Sequence, residues 1–187
     1  MEDGGNGAIP RGPTALIGRF ARNTRGAAAV ELALVATPFF ALLFGIIELA
    51  LIFLVSSSLE NATMQAARTI RTGQLQSGGA ATSAAFKTAI CNNFGWLQSD
   101  CSANLSVDVR TFSTFQSVTA PQPVSGGVFN PAGLTFTPGG PTDIVVVRAY
   151  YQWPLIAPLM SQALQQLNGG KVLITSTATF RNEPYGS

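Results

Sequence analysis

The sequence predicts an α+β protein in which one long apolar helix near the N-terminus is followed by a small antiparallel β-sheet domain with one or two short helices. Residues 32–47 carry no charge, and β-branched and aromatic residues dominate two later runs, 143–153 and 171–180. Charged residues make up 11% of the 187 residues, against roughly 25% in an average globular chain. Because the apolar excess is concentrated in residues 27–55, the chain divides into a membrane-type segment and an ordinary globular one.

The charges divide at the same place. Residues 1–26 carry four arginines against two acidic residues, whereas the rest of the chain carries seven basic and seven acidic residues. The net charge of +2 therefore lies entirely before the apolar run, and no basic stripe suggests a nucleic-acid partner. Residues 1–26 are also rich in glycine and proline, which favours a leader without a fold of its own.

A helix over residues 27–55 is long enough to cross a membrane. At 1.5 Å per residue it extends about 43 Å, and a hydrocarbon core is roughly 30 Å thick. Arg19, Arg22 and Arg25 stand just before it, which places the N-terminus in the cytoplasm and the residues after the span outside. We expect this stem helix to run from 27 to about 72, with Gly73 as its stop, and residues 73–187 to form the exported domain.

Glu31 lies at the front of this span, where a carboxylate is costly without a partner. An ordinary secretory signal has a shorter apolar core and would not contain Glu48. Two routes remain from the residues alone: an anchor that is never cut, or cleavage between Gly26 and Ala27, which makes Glu31 the fifth residue of the mature chain.

The second route resembles the processing site of the type IV pilin superfamily. That resemblance implies cleavage by a prepilin peptidase between Gly26 and Ala27. The new ammonium group of Ala27 and the carboxylate of Glu31 would then lie one helical turn apart, or pair between neighbouring subunits, so that each offsets the desolvation of the other. The alternative is a Glu31 side chain that simply reaches the lipid headgroups.

Within that superfamily, the stem looks most like the TadE-type minor pilins of tight-adherence (Flp) pilus systems. The residues that carry the resemblance are Arg25 to Ala33, Pro38 and the Phe44 to Glu48 run, with a weaker likeness at 144–160 and 171–184. The middle of the chain, roughly 75–140, is not covered.

This resemblance implies a minor pilin, or pseudopilin, involved in pilus assembly, initiation and surface attachment. Its expected partners are the prepilin peptidase, the major Flp pilin, other minor pilins, the inner-membrane assembly platform and membrane lipid. It implies a single-pass inner-membrane protein with a periplasmic C-terminal domain, and the extracellular fibre as a location after assembly. Two alternatives stay open: an unprocessed membrane-anchored envelope binding protein, and a type II secretion pseudopilin.

Three further stem residues have predicted roles. Pro38 removes a backbone donor and should kink the helix, and Gly45 with Ala41 offers a small surface for close helix approach. Glu48 follows Glu31 by about 26 Å along the helix, near the outer membrane interface. It is expected either to form a contact between subunits or to lie at headgroup level.

In the exported domain, residues 80–94 show the spacing of a short helix that carries Cys91. In an oxidising exterior, Cys91 and Cys101 are expected to form a disulfide. A metal site would need further ligands, and a catalytic thiol would lack a histidine base, because the chain has no histidine.

Strands are expected at 106–112, 143–153 and 171–180, because these runs are rich in β-branched residues or alternate. A proline-started helix should occupy the interval between the last two and end at Gly169-Gly170. Residues 117–142, rich in proline and glycine, predict a long surface loop or a ragged hairpin.

No motif in the sequence favours catalysis. There is no glycine-rich phosphate loop after a strand, and no nucleophile has a visible base. Asp100, Asp108 and Asp143 are expected to be solvated side chains. We therefore expect a structural and interaction protein, not an enzyme, with no cofactor and no metal.

Overall fold

The computed structural model describes residues 24–79, 81–157 and 162–185. Most of the predicted leader and the middle of the predicted 154–170 helix lie outside these residues. The chain divides into two compact units at Phe44 and Gly45.

The stem is a single helix, α1, Thr24–Arg71, of 48 residues with Pro38 inside it. It ends where predicted, since Gly73 takes the left-handed conformation at φ 75°, which glycine adopts without a steric penalty. Three short helices follow, α2 (Gln74–Ser77), α3 (Ser83–Asn92) and α4 (Gln98–Asn104), with a 3-10 turn at Gly95–Leu97 between the last two. The α3 helix confirms the one predicted at 80–94.

Three long segments form an antiparallel sheet in the order β1-β4-β5: β1 is Leu105–Phe112, β4 is Ile144–Pro154 and β5 is Lys171–Arg181. All three confirm the predicted strands. In the register, Val109 faces Val147 and Val147 faces Ala178, so one side of the sheet is apolar across its width. This side is called the inner face.

The core lies between the inner face and the second half of α1. Buried α1 residues recur at helical spacing and pack in one cluster with the buried residues of the sheet. They include Val55, Leu59, Ala62, Ala66 and Ile70. On β5, alternate residues from Val172 to Ala178 are buried while Thr175, Thr177 and Thr179 are exposed, as the period of two requires.

The predicted loop region, 117–142, is a ragged hairpin. Two-residue strands β2 (Val124–Ser125) and β3 (Val128–Phe129) pair with each other, and a 3-10 turn follows at Pro131–Gly133. Thr135 and Thr137 then hydrogen-bond to both backbone groups of Val109 at 2.8 Å. This segment thereby covers the outer edge of β1.

The segment between β4 and β5 corrects one prediction. Only residues 162–164 are helical among those described there, and Leu167 forms an isolated bridge to Lys171. Gly169 and Gly170, both at positive φ, therefore belong to the turn that leads into β5 and do not end a helix.

Candidate functional site

The first candidate region is the N-terminal part of α1. Gly26 and Ala27 both lie in the helix, and Glu31 is exposed on it. Four residues separate Ala27 from Glu31, which is about 6 Å of helix rise. The side chains of Arg25 and Ala27 lie outside the described residues. The helix therefore holds the backbone of the predicted cleavage site and Glu31 one turn apart.

Beyond Glu31, α1 presents a continuous apolar surface. Large side chains stay exposed over several turns, for example Leu34 at 71% and Phe53 at 74%. Among the described residues one helical stretch, Ala28–Arg71, is long and apolar enough to cross a membrane, and only 17% of its most apolar window is buried within the protein. The core helix of a soluble protein would bury most of that window, so the exposed surface favours a membrane anchor.

The helix continues through Pro38. The hydroxyl of Thr37 donates to the carbonyl of Ala33 at 2.8 Å, in the turn where proline leaves a carbonyl without its usual donor. Gly45 is buried. A kink at Pro38 and helix approach at Gly45 remain predictions about the assembled state.

Glu48 has an arrangement that the sequence analysis did not anticipate. Its side chain is 2% exposed, and Oε2 accepts hydrogen bonds from the backbone N–H groups of Ile156 (2.9 Å) and Ala157 (2.8 Å). The contact is therefore within the chain, whereas we expected a subunit contact or a headgroup-level side chain. Carboxylates that accept two backbone N–H groups form strong, directional hydrogen bonds. Glu48 thus fixes the chain after β4 to the stem.

The predicted disulfide is confirmed. Cys91 at the end of α3 is bonded to Cys101 on α4, with 5.5 Å between their Cα atoms, and both residues are buried in the core cluster. Phe94, between them, packs edge-on against Tyr151 with ring centroids 4.9 Å apart. The bond therefore ties the two short helices to each other, and Phe94 packs the connection between them against the inner face.

The outer face of the sheet holds a buried charge cluster centred on Asp108. Its carboxylate contacts Arg110 Nε at 2.9 Å and Arg148 Nη1 at 3.5 Å, and it accepts the N–H of Thr135 at 2.9 Å. Asp108 is fully buried, so the expectation of a solvated side chain was wrong for this residue. Alternation along β1 places Asp108 and Arg110 on one side of the sheet, and Arg148 faces Asp108 there. This spacing was the feature of the sequence that could have indicated the charge cluster.

Two guanidinium groups extend this cluster into the loop region. Arg148 Nη2 donates to the carbonyl of Thr119 at 2.9 Å, and Arg110 Nη2 donates to that of Gly133 at 2.6 Å. The cluster thus fastens the ragged hairpin to the sheet. Asp100 and Asp143 are exposed, although Asp143 accepts the N–H of Gly140 at 2.8 Å.

Titration offers little chemistry in the described part of the chain. Burial lowers the pKa of Lys87 and raises the pKa of Tyr150, Tyr151 and Tyr185, so the three phenols stay neutral near neutral pH. Residues 24–79, 81–157 and 162–185 contain no group of three or more acidic, cysteine or histidine side chains that could hold a metal ion.

Together, the exposed apolar helix and the sheet packed on its second half define a class: an α+β domain carried on a single candidate membrane helix near the N-terminus. Within this class, the family model described as "TadE-like protein" matches residues 26–68. The match covers Gly26, Ala27, Glu31, Pro38, Gly45 and Glu48. It confirms the resemblance seen in the sequence and shows that the stem, 43 of the 187 residues, is similar to TadE-like proteins.

This identification points to a membrane-anchored protein associated with the Tad pilus, with partners among pilus components. No curated protein and no solved structure matches the chain significantly.

Proposed function

We propose that this chain is a minor pilin, or pseudopilin, of a tight-adherence pilus. A prepilin peptidase cuts it between Gly26 and Ala27, and it then takes part in pilus assembly, initiation and surface attachment. Its role is structural, without catalysis. The observation that carries the proposal is the TadE-like match over residues 26–68, which includes the cleavage site and Glu31.

The structure supports this role through the apolar surface on the first half of α1. The first half has exposed apolar side chains, such as Leu34 and Phe39, that need either lipid or neighbouring stems as cover. Moving this surface from lipid into a fibre changes one apolar environment for another. The partners proposed for it are the major Flp pilin, other minor pilins and the inner-membrane assembly platform.

Glu31 has a defined part in this proposal. Cleavage would create a charged amino terminus on Ala27, one turn from the exposed Glu31 carboxylate. Pairing of these charges, within one subunit or between two, lowers the cost of placing both in the apolar interior of a fibre. Glu31 would thus fix the register of neighbouring stems.

The decisive experiment is the N-terminus of the protein recovered from its native membrane, determined by intact mass and terminal sequencing. We expect a chain that begins at Ala27. Gly26→Val should leave the precursor uncut, whereas the matched change Gly18→Val, in the leader, should leave cleavage unaffected.

The variant Glu31→Ala should still fold and reach the membrane but should be lost from isolated pili. Glu60→Ala, which removes an exposed carboxylate further along the same helix, is the control and should assemble normally. A native chain that keeps residues 1–26 in cells with an active prepilin peptidase would contradict the proposal. It would leave an unprocessed, membrane-anchored envelope protein.

A further inference from the structure

The hydrogen bonds of Glu48 place the chain after β4 at a defined level of α1. The apolar run of the helix continues from Leu49 to Val55 after Glu48, which is about 10 Å of helix. On the side away from the core, this run exposes Leu49, Phe53 and Leu54 at 40–74%. The segment Pro154–Ala157, held by Glu48, is therefore level with exposed apolar side chains of the stem and not beyond them.

The segment itself is apolar and points away from the core. Ile156 is 65% exposed, although both of its neighbours are partly covered. Its position is fixed from two sides, because Leu155 N–H donates to the carbonyl of Gly170 at 2.9 Å and Ile156 N–H donates to Glu48. A large apolar side chain held exposed by two backbone anchors indicates a surface with an apolar partner.

Charge is absent from this part of the sequence. Between Arg148 and Lys171 no residue is charged. Trp96, 58% exposed, lies beside Trp153 with ring centroids 6.1 Å apart, and Trp153 directly precedes this segment. Tryptophan favours the headgroup level of a bilayer.

We propose that residues 154–157, with Ile156 at their tip and Trp96 beside them, form a second membrane contact that inserts into the outer surface of the bilayer crossed by α1. The occupant is lipid, because the segment lies level with exposed apolar side chains of the span and because a stretch without charges carries no ionic desolvation cost into the interface. This inference rests on the proposed membrane anchor. It adds that the exported domain has a fixed orientation relative to the bilayer.

A lipid contact at this point also explains the nature of the Glu48 anchor. Glu48 uses backbone N–H groups as partners, so no cationic side chain has to enter the interface with it. The domain would then be held by the stem and by the tip at Ile156. Two attachment points restrict tilting of the domain relative to the bilayer before assembly.

Single-cysteine labelling of the full chain tests the proposal. The two native cysteines are bonded to each other, so a nitrobenzoxadiazole label reacts only with an introduced cysteine. Ile156→Cys reports on the proposed contact, Phe53→Cys on the span, and Val128→Cys on the β2–β3 hairpin. Each replaces a side chain that is more than half exposed, so the fold should be retained.

The labelled proteins are placed in nanodiscs of phosphatidylethanolamine with phosphatidylglycerol, with and without bromine on the acyl chains, and titrated with aqueous iodide. We expect brominated lipid to quench the labels at 156 and 53, and iodide to quench the label at 128 several-fold more strongly than the label at 156.

Three results would overturn the inference. Iodide access at 156 equal to that at 128 would show a solvated tip. Protection of 156 from both quenchers would show a protein contact in place of lipid. A label at 53 that brominated lipid fails to quench would remove the membrane anchor itself, and with it a basis of the proposed function.

Discussion

Glu48 and Asp108 are both buried carboxylates of the same domain, but they are stabilised in opposite ways. Glu48 accepts two backbone N–H groups and has no cation beside it among the described residues. Asp108 is paired with Arg110 and Arg148 and accepts one backbone N–H group. The first lies on the apolar stem, and the second lies under the loop that covers the outer face.

The difference follows from the surroundings of each site. Near the exposed apolar surface of the helix, a guanidinium partner would itself need water or a further anion. Backbone N–H groups need neither, so they stabilise the buried carboxylate at a lower free-energy cost. Under the segment between β1 and β4, each guanidinium also donates to a backbone carbonyl oxygen. Arg148 donates to that of Thr119, and Arg110 donates to that of Gly133. A charged pair in a closed protein environment is tolerated when such hydrogen bonds complete it.

Of the substitutions that test this comparison, Asp108→Ala is expected to lower the free energy of unfolding most. Arg148 is only 5% exposed, and without Asp108 it would be an uncompensated buried charge. Removing one partner of such a pair costs about 3–5 kcal/mol. The measurement is denaturant unfolding of the full chain in detergent micelles, followed by near-ultraviolet circular dichroism.

Asp100→Ala is the matched control, because it removes an exposed carboxylate from the neighbouring helix. It should change the free energy of unfolding by a small fraction of the Asp108 effect. Equal losses for the two variants would mean that the charge cluster does not contribute to stability.

Glu48→Ala should have the second largest effect. It leaves two partly buried N–H groups, those of Ile156 and Ala157, without their charged acceptor, at a cost of about 1–3 kcal/mol. Glu48→Gln keeps an acceptor oxygen and should lose less than Glu48→Ala. Amide hydrogen exchange reports the change directly: exchange of Ile156 and Ala157 should accelerate, and that of Val147 in β4 should not.

Glu60→Ala, an exposed position on the same helix, controls for removal of a stem carboxylate. If Glu48→Ala left the exchange of Ile156 and Ala157 unchanged, the carboxylate would not be their acceptor in solution.

The parts of the fold that periodicity encodes could be predicted from the sequence. The stem helix was expected to end at about residue 72, before Gly73, and it ends at Arg71. The run of β-branched residues at 171–180 predicted the strand that forms β5, and the two cysteines predicted their disulfide. In each case the information is local, because the period of a helix or strand fixes which residues share a face.

The partners of buried polar groups could not be predicted. Glu48 meets backbone groups 108 and 109 positions away, and backbone donors have no sequence signature. Asp108 was misjudged because the loop that buries it carries no periodic pattern. Periodicity also gave no warning that Gly169 and Gly170 form a turn into β5, since a helix stop and a strand-entry turn both favour glycine.

The smallest predicted effect concerns Tyr150, on the same face as Asp108. Burial raises the pKa of its phenol above the ordinary value of 10, Asp108 raises it further, and Arg148 and Arg110 oppose the shift. A raised pKa in the folded chain means that the neutral phenol stabilises the fold below pH 10 and that this contribution is lost as the pH rises through the folded value.

The free energy of unfolding should therefore fall as the pH rises above 10, and it should fall less steeply for Tyr150→Phe. Some slope should remain in that variant, because the pKa values of Tyr151 and Tyr185 are also raised. Glu48→Gln provides the contrast: the Tyr150 pKa does not depend on Glu48, so this variant should keep the native slope while lowering stability at every pH. An unchanged alkaline slope in Tyr150→Phe would mean that the phenol is hydrated, and that the loop covers the Asp108 face less completely than the Glu48 site is covered.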